Sequence, residues 1–131
     1  MRLLKLFTTI ALTACLYGCA TTSNDSTYSV YRHDPNAAAL ADLVTTAVGI
    51  HKGAHELNPL GFNGAIAAKA IYLFGIRPGL GAEERAVSDR FASAIWYGGA
   101  VNNLVLIILP SAGLVSVGVG LWAGYTIYTS K

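Results

Sequence analysis

Nineteen consecutive residues, 91–109, carry no charge, and the last six of them are aliphatic without a break. A run of that length must leave water, and it leaves few ways to fold. As a helix it is about 28 Å long, close to the hydrocarbon thickness of a bilayer. Three more apolar segments accompany it: 37–57, 59–76 and 114–128. Asn58-Pro59, Arg77-Pro78-Gly79 and Pro110-Ser111-Ala112-Gly113 punctuate them. Only 12% of the chain is charged and 53% is hydrophobic, whereas soluble domains average about 25% charged. Residues 114–119 are rich in β-branched side chains and could be read as a strand. Long apolar runs joined by tight turns fit helical hairpins better, because a helix satisfies its own backbone in lipid. The expected fold is all-α: a small membrane-associated bundle of about four apolar helices in two hairpins.

Helix ends follow from local chemistry. Residues 33–36 form a turn, with Asn36 expected as the cap of the first helix. That helix is expected to run over 37–57, about 31 Å. It stops at Asn58 because a residue before proline avoids the helical region. Asn58 then caps a second helix with Pro59 at its first position. This helix runs to Ile76, about 27 Å. Residues 78–89 are the most soluble-looking piece, with Glu83 and Glu84 suited to a helix N-terminus. Trp122, Tyr125 and Tyr128 suit a membrane interface.

The first helix holds the unusual chemistry. On a 100° wheel Asp42, Thr46, Gly49, Gly53 and Glu56 fall on one stripe, with Thr45 at its border, while His51 and His55 project from the opposite side. Gly49 and Gly53 form a small-residue pair expected to let another helix approach closely. Asp42 is costly in lipid and needs a partner. Lys69 on the second helix is the leading candidate, about 8 Å away in depth after the chain folds back; Asn102 and Asn103 are the alternatives. His51 and His55 have the i, i+4 spacing that lets two imidazoles meet one metal ion. The order His-x-x-x-His-Glu places Glu56 after the pair rather than between its members, as a zincin would have it. Ser116, Gly120 and Gly124 repeat at four-residue spacing, and Gly98, Gly99 and Ala100 give the third segment a small surface, both read as sites of close packing. The sequence has no nucleophile triad, phosphate loop or paired-carboxylate arrangement, and no cofactor is implied. The net charge of +2 is small and scattered, which argues against nucleic acid as a partner.

The N-terminus begins with Arg2 and Lys5, continues in a short apolar core over 6–16, and ends in Leu16-Tyr17-Gly18-Cys19. This resembles the signal peptide and lipobox of bacterial lipoproteins. The resemblance implies removal of residues 1–18, a lipid (palmitate among its acyl groups) on Cys19, a polar tether over 19–36 and a helical domain over 37–131. It also implies, from Ala20 in place of Asp, no inner-membrane retention signal. The competing reading is an uncleaved anchor helix with an incidental cysteine. Beyond Cys15 and Cys19 the chain has no cysteine, so neither a disulfide framework nor a thiolate metal site can form there.

Asp42, Thr46, Gly53, Glu56, Asn58 and Pro59, taken in order, resemble the motif of a group of small, uncharacterised bacterial integral membrane proteins. The resemblance covers roughly residues 38–110 and implies a helical membrane bundle without a known activity. Charge complicates the topology. With Cys19 exported, four spans place Arg77, Arg85 and Arg90 outside and Lys52 inside, against the positive-inside tendency. Two classes of function follow. One is a lipid-anchored envelope protein with a structural or interaction role, its partners membrane lipid, a second copy or another envelope protein. The other is a small membrane enzyme or ion- or metal-handling protein using Asp42 and Lys69 or His51 and His55.

Overall fold

In a computed structural model of the chain, residues 33–54 and 61–130 are described. The fold is all-α, and the described residues contain no strand. Helix α1 spans Pro35–His51 and α2 spans Gly61–Ala70. A π-helical stretch, Ile71–Ile76, and a 3-10 turn, Arg77–Gly79, continue α2. Helix α3 spans Ala82–Ile108, and a 3-10 turn at Pro110–Ala112 leads into α4, Gly113–Thr129.

The ends of α1 differ from the sequence reading at both termini. Asp34, not Asn36, is the cap: its carboxylate accepts from the Asn36 backbone N–H at 2.9 Å, and Pro35 takes the first helical position. The helix stops at His51 rather than continuing to residue 57. Gly53 adopts φ +90°, Gly53 N–H donates to Ile50 O at 2.9 Å and Ala54 N–H to Gly49 O at 3.0 Å. That is the Schellman closure, in which a left-handed glycine satisfies the last free carbonyls. Gly53 therefore ends a helix instead of lining one.

Helix α3 starts at the acidic pair suited to a helix N-terminus, ahead of the uncharged run 91–109. The soluble-looking segment winds into its first turns, where Glu84 accepts from Gly81 N–H at 3.0 Å and Glu83 and Glu84 meet the positive end of the helix dipole. The result is a 27-residue helix, the one described helix long and apolar enough to cross a membrane. Helices α1 and α4 have 17 residues each, about 26 Å.

Helix α3 is the axis of the bundle. Helices α1 and α4 pack along it, and α2 reaches its neighbours mainly through long side chains. Helix α1 runs parallel to α3, since Asp42 lies against Gly99 and Thr46 against Asn103. Helices α3 and α4 cross on glycine. A Cβ on Gly98 would sit 2.8 Å from Gly120 O, one on Gly120 2.7 Å from Gly98 O, and one on Gly124 2.8 Å from Ala94 O. At the open end of α1, His33 Nε2 donates to Ile127 O at 3.0 Å and lies 3.2 Å from Ser130 Oγ, tying α1 to the end of α4.

Side chains are distributed opposite to a water-soluble protein. Among the described residues the seven buried hydrophobic ones are all alanine, and the buried polar or charged ones are Thr45, Lys69, Asp89, Ser93 and Ser116. The large apolar side chains face outward, including Leu114 at 90% exposure, Phe74 at 78% and Leu121 at 71%. Water-soluble domains rarely leave so continuous an apolar surface uncovered. Small residues inside let backbones approach, which is how helices associate when lipid rather than water surrounds them.

Candidate functional site

A closed polar cluster sits halfway along α1. Asp42 is held by three features of the fold. Lys69 of α2 places Nζ 2.9 Å from Asp42 Oδ2. Asn103 of α3 donates from Nδ2 to Asp42 Oδ1 at 3.3 Å and to Thr46 Oγ1 at 2.8 Å, with Thr45 Oγ1 at 3.4 Å. Gly99 leaves room for the carboxylate, because a Cβ there would lie 2.7 Å from Oδ1. Thr45 also donates to the backbone carbonyls of Ala41 and Asp42 at 2.9 and 3.1 Å, so its hydroxyl makes no demand on lipid. The Lys69 and Asp42 side chains are only 8% and 16% exposed. Burial of an ion pair is costly, and further hydrogen bonds on the carboxylate offset part of that cost.

An aromatic bridge joins this cluster to a second one. Lys69 Nζ lies 5.4 Å from the centre of the Trp96 ring, a cation–π distance. Trp96 meets Tyr72 edge-to-face, ring centres 5.6 Å apart. Tyr72 stands in the π-helical stretch, and its hydroxyl lies 2.8 Å from Asp89 Oδ1 and 2.9 Å from Ser88 Oγ. Arg77 grips Asp89 with two parallel bonds, Nε to Oδ1 at 2.8 Å and an Nη to Oδ2 at 2.9 Å. The hydrogen bonds to Asp89 raise the Arg77 pKa still further above the physiological range, so this arm of the cluster stays charged. Arg85 completes the turn by donating to Leu80 O at 3.0 Å. The ladder Asp42–Lys69–Trp96–Tyr72–Asp89–Arg77 fastens α2 to α1 and α3.

The residues singled out in the sequence therefore separate. Asp42, Thr46 and Lys69 come together, with Asn103 rather than Asn102 as the added partner. Gly49 is not a helix-crossing point: a Cβ there would meet only Ala54, at 3.9 Å, and one on Gly53 would meet nothing within 4 Å. Close approach occurs instead at Gly98, Gly99, Gly120 and Gly124. His51 is exposed at the end of α1. Cys19, His55, Glu56, Asn58 and Pro59 lie outside the described residues. Among the described residues no group of three His, Cys, Asp or Glu side chains could hold a metal ion. The sequence reading missed the roles of Tyr72, Arg77, Asp89 and Trp96. The available signal was the presence of an acid, Asp89, and an arginine, Arg77, at facing ends of adjacent apolar segments.

Chemically, the cluster neutralises two charges in a region of low dielectric. The fold and this cluster define an all-α bundle with a small-residue interior, an apolar exterior and an internal ion pair, a form suited to association with a membrane. No family model matches the chain, and no curated protein or solved structure matches it.

Proposed function

We propose that the chain is a lipid-anchored protein of the bacterial cell envelope whose helical domain sits in the bilayer and has a structural or interaction role. One observation carries the membrane part of this reading: large apolar side chains face outward while alanine, glycine, serine and a charge pair fill the interior. In water this arrangement exposes apolar area that costs about 25 cal/mol per Å²; in hydrocarbon the cost disappears. The closed Asp42–Lys69–Asn103 cluster supports a structural role, since intramembrane charges are tolerated when paired within protein. The anchor rests on the lipobox-like Leu16-Tyr17-Gly18-Cys19.

Cys19→Ser separates the two parts. Palmitate labelling and the processing shift on a gel are expected to vanish in the variant, while both proteins stay in the membrane pellet after an alkaline carbonate wash. Release of the Cys19→Ser protein by that wash would overturn the embedded bundle. Unchanged labelling and mobility would overturn the anchor and leave the bundle standing.

A further inference from the structure

One stretch of the molecule is wound unlike the rest. Over Ile71–Ile76 the helix that continues α2 is π-helical, and the Arg77 N–H donates to Tyr72 O, five residues back. A π stretch of this kind is an α-helix that has taken in one extra residue, and such stretches are rare and concentrate at functional positions. The extra residue decides which side chains face α3. Lys69 and Arg77 are eight positions apart, which on an unbroken α-helix sets them about 80° apart around the axis. Taking in one residue makes eight positions count as seven, which brings the two to within about 20°. Both cations then turn inward, Lys69 to Asp42 at 2.9 Å and Arg77 to Asp89 at 2.8 Å. Ile76 records the same winding. Seven positions after Lys69, it would stand about 20° from Lys69 on an α-helix and face inward, yet it is 51% exposed.

We propose that Ile71–Ile76 is a two-state register switch, π-helical while Arg77 is clamped to Asp89 and plain α-helix once the clamp opens. None of its six residues is buried, so the wide winding is not fixed by core packing of the stretch itself. Tyr72 stands at its start, ahead of most of the extra winding, and its contacts with Asp89 and Ser88 tolerate either form. The contact that demands the wide form is the one at the far end, where Arg77 meets both oxygens of Asp89. Two parallel charge-assisted bonds are strong and geometrically strict. Without them the segment tightens by one residue. Arg77 then swings off Asp89 and Ile76 turns toward α3. The turn that follows contains Gly79 and Gly81, which absorb the rotation before α3 begins. The switch depends on the winding of one stretch and not on the membrane reading above.

The test uses the full chain with Cys15→Ser and Cys19→Ser, a nitroxide attached through Ile76→Cys, and collision with dissolved oxygen read in detergent micelles. The label is expected to be accessible, and adding Asp89→Leu, which opens the clamp, is expected to abolish that accessibility. Deleting Gly75 separates a switch from a general loss of packing. The shortened chain has no extra residue, so an α-helix alone keeps Lys69 and Arg77 on one face. Ile76 is then six positions from Lys69 and faces outward, and Asp89→Leu is expected to leave the label accessible. Unfolding by dodecyl sulfate gives a readout without a label. Asp89→Leu is expected to lower the midpoint more in the shortened chain than at full length, because only the full-length stretch can recover by tightening. A folded Asp89→Leu protein with residue 76 still accessible overturns the proposal. So does an equal midpoint shift in the two backgrounds, or no shift in the shortened chain, where the pair would then have needed the extra residue. If Asp89→Leu does not fold, Arg77→Met opens the same clamp while Tyr72 still holds Asp89, and the same outcomes decide.

Discussion

Lys69→Met puts the internal ion pair to a quantitative test. The substitution keeps the length of the side chain and its contact with Trp96 while removing the charge. Asp42 is then left 16% exposed with one direct donor, Asn103 Nδ2 at 3.3 Å. Stripping one partner from a buried pair costs about 3–5 kcal/mol. The surviving Asn103 bond and the room at Gly99 put the expected loss at the lower end, about 3 kcal/mol. The double variant Asp42→Leu/Lys69→Met removes both charges and fills similar volume. Asn103 still donates to Thr46 at 2.8 Å, so no amide is orphaned. The double variant should therefore lie within about 1 kcal/mol of the parent, and the cycle should give a coupling of roughly 2 kcal/mol or more. Reversible unfolding by dodecyl sulfate in mixed micelles, read by circular dichroism, supplies all four free energies. A coupling near zero, with the double variant costing the sum of the two singles, would refute the claim that the two charges act as a unit.

Four further outcomes follow from the geometry. Gly120→Ala should cost about 1–3 kcal/mol in the same assay, since the new Cβ would sit 2.7 Å from Gly98 O and 2.9 Å from Asn102 Cβ; a neutral result would show that α3 and α4 separate freely. Gly53→Ala meets no neighbour but is forced into left-handed backbone at φ +90°, so a loss of about 1–2 kcal/mol is expected, measurable as lower micelle stability. Tyr72→Phe should cost about 1 kcal/mol by removing the hydroxyl contact to Asp89 and Ser88, with Arg77→Met costing more because it strips the cation from the same carboxylate. His51→Ala, at an exposed position, should stay within about 0.5 kcal/mol of the parent.

How much of this was legible beforehand depends on the range of the interaction involved. The helical class and the turn at Pro110 follow from apolar run length and proline stereochemistry, both local properties. The need of Asp42 for a partner, and Lys69 as a candidate, could be read because a single fold-back fixes their relative depth. The end of α1 has a local signal that competes with another: by spacing Gly53 reads as a packing residue, while its backbone at φ +90° makes it a C-cap. Residues 78–89 read as the most soluble-looking piece, and the suitability of Glu83 and Glu84 for a helix N-terminus is legible because it is local: α3 begins at Ala82.

The sequence by itself determined that this chain makes apolar helices, that one of them is long enough to cross a bilayer, and that a charge inside the first must find an opposite charge. These follow from run length, backbone chemistry and the cost of burying an ion. Only the tertiary structure decided which small residues meet. Glycine spacing is equally suggestive at Gly49–Gly53 and at Gly120–Gly124, but only the second pair faces another backbone at van der Waals distance. The tertiary structure likewise decided between two neighbouring asparagines. One residue of rotation, about 100° on a helix, turns Asn103 into the polar cluster and leaves Asn102 at the α3–α4 crossing beside Gly120.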